Sequence, residues 1–141
     1  MDDGFALERF VAAQDAGGAY VGAVRELRAG RKHGHWMWFV FPQIAGLGRS
    51  ATTRHFAVSG LPEAAAYLAH PVLGPRLIEC SGVLAALPGT DAVAVFGPVD
   101  AQKLQSSMTL FARAAPHEPA FSDVLDRYFA GRADEGTLSR L

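Results

Sequence analysis

Glycine and proline interrupt this chain so often that no regular element can run far, and the residues between interruptions recur at helical spacing. Phe5, Leu7, Phe10 and Val11 approximate one helical stripe, which Gly17-Gly18 ends, and the acidic Asp2 and Asp3 are placed to favour its N-terminus. Tyr20, Val24 and Leu27 form a second stripe stopping at Gly30, so these two segments predict a helical hairpin. Ser50 can cap a short helix through Thr53, Phe56 and Val58, and Pro62 fits the first turn of another that ends before His70-Pro71. Leu73, Leu77, Ile78, Val83, Leu84 and Leu87 suit a buried helix closed by Pro88-Gly89. Over residues 99–114 the spacing sets Leu104, Ser107, Met108 and Phe111 on one helix face. Phe121, Val124, Leu125, Tyr128 and Phe129 predict a last amphipathic helix to Gly131, with a frayed terminal turn over residues 134–141.

Two apolar runs have no usable period. Residues 37–41 predict a short buried strand or an irregular segment, and residues 93–96 predict either a short helix or a short strand. The expected fold is therefore all-α in the main: one multihelical bundle over residues 1–141, with at most a minor strand element.

A chain of 141 residues, half of them apolar, can bury a core without staples. Cys80 is the only cysteine, which excludes an intramolecular disulfide and a multi-cysteine metal site. The formal net charge of −1 and the absence of like-charge blocks name no partner. Apolar runs end well before the roughly 18 residues a membrane span needs, and the acidic start is unlike a secretory signal, so the expected setting is the cytosol without membrane attachment.

Chemistry-bearing residues gather in two places. Trp36 and Trp38, beside Arg31, Lys32, His33 and His35, can stack on a planar group or grip a phosphate, although aromatics in an apolar run are more commonly core. His33 and His35 have the spacing of strand-borne metal ligands, but Asp and Glu are absent from residues 27–62, and no metal site is expected. Gly46-Leu47-Gly48-Arg49-Ser50 resembles a phosphate-cradling loop and equally a turn with Ser50 as a helix cap. In the second place, Asp100 and Lys103 can pair at a helix start, or Lys103 can act with Ser106, Ser107 and Thr109 on an anion. Lys103 can also activate Ser106, in an order reversed from the usual nucleophile-then-lysine pattern. Cys80 reads as packing.

The strings Trp-Met-Trp-Phe-Val-Phe-Pro-Gln over 36–43 and Lys-Leu-Gln-Ser-Ser-Met-Thr-Leu-Phe over 103–111 are long and specific. With Gly46-Leu47-Gly48, Glu63-Ala64, Tyr67-Leu68, His70-Pro71, Leu73-Gly74 and Phe96-Gly97, they resemble the bacterial family catalogued as domain of unknown function 1810, over nearly the whole chain. Members of that family are sometimes labelled calpastatin, a name nothing in this sequence supports. The resemblance implies a mostly helical single domain without an established activity, and helix in the ambiguous segments. Carried over residue by residue, it marks His35, Gln43, Ser50, Asp100, Lys103, Ser106, Ser107 and Thr109.

The leading expectation is a small-molecule site, with His35, Lys103 and Ser106 as candidate catalytic groups. Trp36, Trp38, Gln43, Arg49, Ser50, Asp100, Lys103, Ser106, Ser107 and Thr109 are the candidate ligand contacts. A nucleotide-like or other anionic planar ligand fits those residue types; no cofactor is identified. The rival is a noncatalytic protein-interaction module whose motif residues are structural. Nucleic-acid binding, through Arg25, Arg28, Arg31, Lys32 and His33, is the weaker third reading.

Overall fold

Leu7, Phe10, Ala23 and Leu27 are buried at helical spacing, which packs α1 (Glu8–Asp15) on α2 (Ala19–Arg28) across a 3-10 turn at Ala16–Gly18. The expected hairpin forms, although its first helix starts after Phe5, which is exposed. The computed structural model describes residues 4–141, so the expectation for Asp2 and Asp3 lies outside the described residues.

Residues 37–41 correct the expectation of a strand or irregular segment. They form a single helical turn, α3 (Met37–Val40), that buries Met37, Val40 and Phe41, positions i, i+3 and i+4 of one face. Pro42 explains why it is only a turn, because the residue before a proline is pushed out of the helical region, and Phe41 sits at φ −125° and ψ 74°. The chain then runs extended, and Val58 N–H donates to Gln43 O (2.8 Å) while Ala45 N–H donates to Val58 O (2.8 Å). This isolated parallel bridge between Ile44 and Val58 closes a loop holding α4 (Ala51–His55); no strand forms among the described residues.

α5 (Leu61–Ala69) and α6 (Leu73–Ala86) meet at a close approach that demands a glycine: a Cβ on Gly74 would lie 2.0 Å from the Leu68 carbonyl oxygen. Ile78, expected in the core, is instead exposed on the outer face of α6. Residues 93–96 are helical and open α7 (Ala92–Ala114), which Asp91 caps. α7 is broken at Gly97, whose φ of 79° is a left-handed value open to glycine at little cost, and Pro98 then starts a fresh run. After the break the expected single apolar face becomes complete burial over residues 106–111, because α5, α8 (Pro119–Phe129) and α9 (Glu135–Leu138) all pack on this helix.

Polar seams tie the helices together. Gln14, buried in α1, donates to Phe39 O (2.7 Å) and the Tyr67 hydroxyl (3.2 Å) and accepts from Arg76 (3.1 Å). Arg9 pairs with the buried Glu63 (2.8 Å) and donates to the carbonyls of His55 and Ala57. The Tyr20 hydroxyl donates to Glu79 at the edge of α6, and burial chiefly raises its pKa. Cys80 is buried and burial pushes its thiol up to about 12, so it packs rather than reacts, as the sequence suggested.

Glu26 sets the path of the chain from α2 into α3. Its Oε1 accepts from His33 N–H (2.7 Å), Gly34 N–H (2.9 Å) and the Trp36 indole (3.0 Å). Burial alone would raise its pKa, but the Gly34 and His33 amides, the indole and the charge of His33 outweigh it and lower the value below 4.5. A carboxylate with a depressed folded-state pKa contributes stability that is full above its unfolded pKa and is lost as pH falls through the folded one. Glu26→Gln is therefore expected to be roughly 1–2 kcal/mol less stable at pH 7. In urea titrations from pH 7 down to 3, the wild-type advantage should shrink below about pH 4.5. A constant gap across that range would show that the charge of Glu26 contributes nothing.

Candidate functional site

Asp100 sits in the first turn after the Gly97 break, and two lysines reach it. Lys32 Nζ lies 2.8 Å from Oδ2, with side chains only 8% and 20% exposed, and Lys103 Nζ lies 3.6 Å from Oδ1. Lys32 also donates to Gly34 O and stands 5.1 Å from the Trp36 ring centroid. The closer and more buried contact to Asp100 is thus that of Lys32. Lys103 makes the longer one, and its ammonium rests 4.9 Å from the Trp38 ring centroid, joining the two motifs in space.

Beside Lys103 opens a cleft of about 340 Å³. Gln43, Leu47 and Gly48 form one wall together with Thr53 of α4, and Val99, Gln102, Lys103 and Ser106 of α7 form the floor. Asp134 and Gly136, at the start of α9, close the third side. The position of Gln43 is set by its backbone bridge to Val58. That of Asp134 is set from α7: its N–H donates to Thr109 Oγ1 (2.9 Å), and Ser106 Oγ donates to its Oδ2 (3.2 Å). The same Oδ2 accepts Thr137 N–H (2.9 Å) and Thr137 Oγ1 (2.7 Å), so Asp134 caps α9. Arg140 donates to Gly46 O (3.3 Å) across the rim. The terminal segment expected to fray is a docked wall with Thr137 fully buried.

Of the residues singled out in the sequence, Gln43, Lys103 and Ser106 line the cleft and Asp100 backs it. Trp38, half-buried, lies behind Gln43 in a narrow crevice beneath the Lys103 ammonium. Trp36 is corrected from ligand platform to core: it is 4% exposed, packs near Phe41 and Phe96, and its indole N–H is used by Glu26. Ser107 and Thr109 are likewise core, Thr109 Oγ1 donating to Gln105 O (2.8 Å) and Ser107 Oγ lacking any partner. Ser50 is a cap, its Oγ accepting from Thr53 N–H (3.1 Å). Arg49, His33 and His35 are exposed and outside the cleft. Gln102, Asp134 and Gly136 were missed; an aspartate before Glu-Gly-Thr-Leu signals a helix cap, but nothing local signals where that cap docks.

Among the described residues no helix is long and apolar enough to cross a membrane, and no group of histidine, cysteine, aspartate and glutamate side chains could hold a metal ion. Fold and cleft together define a helical domain with a cleft between a glycine loop, a broken central helix and the terminal turn. Residues 4–141 match the family described as protein of unknown function (DUF1810), and the chain belongs to it. It is similar to the crystal structure of the conserved hypothetical protein Rv1873 from Mycobacterium tuberculosis, at 50% identity, 99% coverage of this chain, 98% of that one and a TM-score of 0.95. No curated protein matches it.

The two lysines on Asp100 predict different responses to removal. Lys32→Met should cost roughly 3 kcal/mol in urea unfolding, since it leaves a partly buried carboxylate with only the more distant Lys103. Lys103→Ala should cost at most about 1 kcal/mol. Equal losses would mean that Asp100 is shared evenly. Ser107→Ala, which removes an unpartnered buried hydroxyl, should leave stability unchanged or raised in the same assay.

Proposed function

We propose that the chain binds a small polar molecule with an anionic group in this cleft, and that it does so in the cytosol, where a single thiol such as Cys80 stays reduced. The observation that carries the reading is the Lys103 ammonium on the floor of the cleft, where its own acid partner, Asp100, lies behind it and is paired more closely with Lys32. Gln43 and Gln102 add carboxamides that can donate and accept, and about 340 Å³ is within the range of small-ligand sites.

The burial of Trp36 removes one of the two rings that would favour a planar, nucleotide-like ligand, and Lys103 covers part of the other. The alternative, a noncatalytic module with structural motif residues, is favoured by the burial of Trp36, Ser107 and Thr109, but it leaves the cleft-facing Gln43 and Lys103 unexplained. Nucleic-acid binding through the basic patch loses Lys32, which points inward to Asp100.

Thermal melts of wild type and Lys103→Ala against nucleotides, carboxylic acids and amino-acid metabolites test the proposal. A ligand present at about 100 times its dissociation constant stabilises by about 2.7 kcal/mol, and that gain should vanish in Lys103→Ala. Undiminished stabilisation of the variant, or no shift with any compound, overturns the reading.

A further inference from the structure

The charge inside the cleft is not of one sign. Lys103 lies on its floor and Asp134 on its side wall, so the two ionised lining groups cancel. Their formal balance also survives an accounting of neighbours. Asp100 and Lys32 form the closer pair behind Lys103. All three hydrogen bonds to the Asp134 carboxylate fall on Oδ2, while Oδ1 has no partner among the described residues. The carboxamides of Gln43 and Gln102 are without partners there as well. The cleft is therefore lined by an ammonium, a carboxylate with one oxygen free of hydrogen bonds and two groups that each donate and accept.

Building on the reading of the cleft as a small-molecule site, we propose that its ligand is a zwitterion of amino-acid to dipeptide size. The ligand carboxylate pairs with Lys103, its ammonium with Asp134 Oδ1, and its amide with Gln43 and Gln102. A simple anion such as phosphate gains Lys103 but faces the Asp134 carboxylate in a partly desolvated space, and a simple cation meets the reverse penalty. Only a ligand carrying both charges leaves neither lining group uncompensated. The same argument disfavours nucleotide phosphates, whose several negative charges exceed the single cation.

Titration calorimetry with chemically matched ligands tests this. The probes are the free amino acids, free alanyl-glutamine, its N-acetyl derivative (anion only), its C-terminal amide (cation only), inorganic phosphate and adenosine monophosphate. A free zwitterion is expected to bind, and for alanyl-glutamine each blocked form should bind at least tenfold more weakly to the wild type. In Asp134→Asn the gap between the free and N-acetyl forms should collapse; asparagine caps helices as well as aspartate does, so α9 should stay docked. In Lys103→Gln the gap between the free and amidated forms should collapse instead. Should either variant fold poorly, the comparison of blocked and free ligands on the wild type decides alone. Phosphate, adenosine monophosphate or the N-acetyl form binding as tightly as the free zwitterions, with that affinity lost in Lys103→Gln, overturns the zwitterion and leaves the anion-binding reading standing. No binding by any probe, or binding untouched by Lys103→Gln, overturns both.

Discussion

The ion pair between Lys32 and Asp100 joins the two halves of the molecule that matter most. Lys32 leaves the end of α2 with its backbone N–H on Val95 O (2.8 Å) and its ammonium on Asp100 (2.8 Å) and Gly34 O. A pair this buried repays its desolvation only when the remaining hydrogen-bonding capacity is also used, and here carbonyl, carboxylate and indole face surround the ammonium. Being shielded from solvent, the pair is screened little by salt. It fixes the segment leading into α3 against α7 immediately after the Gly97 break, and so sets where Trp38 and Gln43 stand relative to Lys103. It also determines the electrostatics next door. By taking the closer place on Asp100, Lys32 leaves Lys103 the longer, i, i+3 contact at 3.6 Å.

Glycine and proline made most of the helix boundaries legible in advance, because they act through local sterics that need no tertiary knowledge. Ser50 as a cap, Pro62 in a first turn and Gly30 as a terminator all act within a few residues. The failures share a different origin. Residues 37–41 had no usable period and suggested a strand or an irregular segment, whereas the helical turn is set by the burial of Met37, Val40 and Phe41 against a core the local pattern cannot see. Ile78 had the right residue type for burial but fell on the solvent side of α6. The frayed terminal turn was misjudged for the same reason, since its stability comes from Ser106 and Thr109, more than twenty residues earlier in the chain.

The candidate site divides along that line. Lys103, Gln43 and Ser106 were found because their strings are unusual, and the cleft brings them together. Trp36 was misread because a large aromatic beside cations looks like a stacking surface until its N–H is accounted for, and only a carboxylate ten residues earlier, Glu26, accounts for it. Asp134 could not be found by residue type at all. It is an ordinary helix cap that also lines a shared cavity, and its importance is visible only once α9 is seen lying on α7.

The placement of α9 also bears on local opening. Its single turn reaches α7 through the Asp134 N–H on Thr109 Oγ1 and the Ser106 hydroxyl on Asp134 Oδ2. A short segment near a chain end that is held by few such contacts opens at a lower free-energy cost than the core does. Release of this turn uncovers the side of the cleft formed by Asp134 and Gly136 and leaves the packing of α5, α7 and α8 in place.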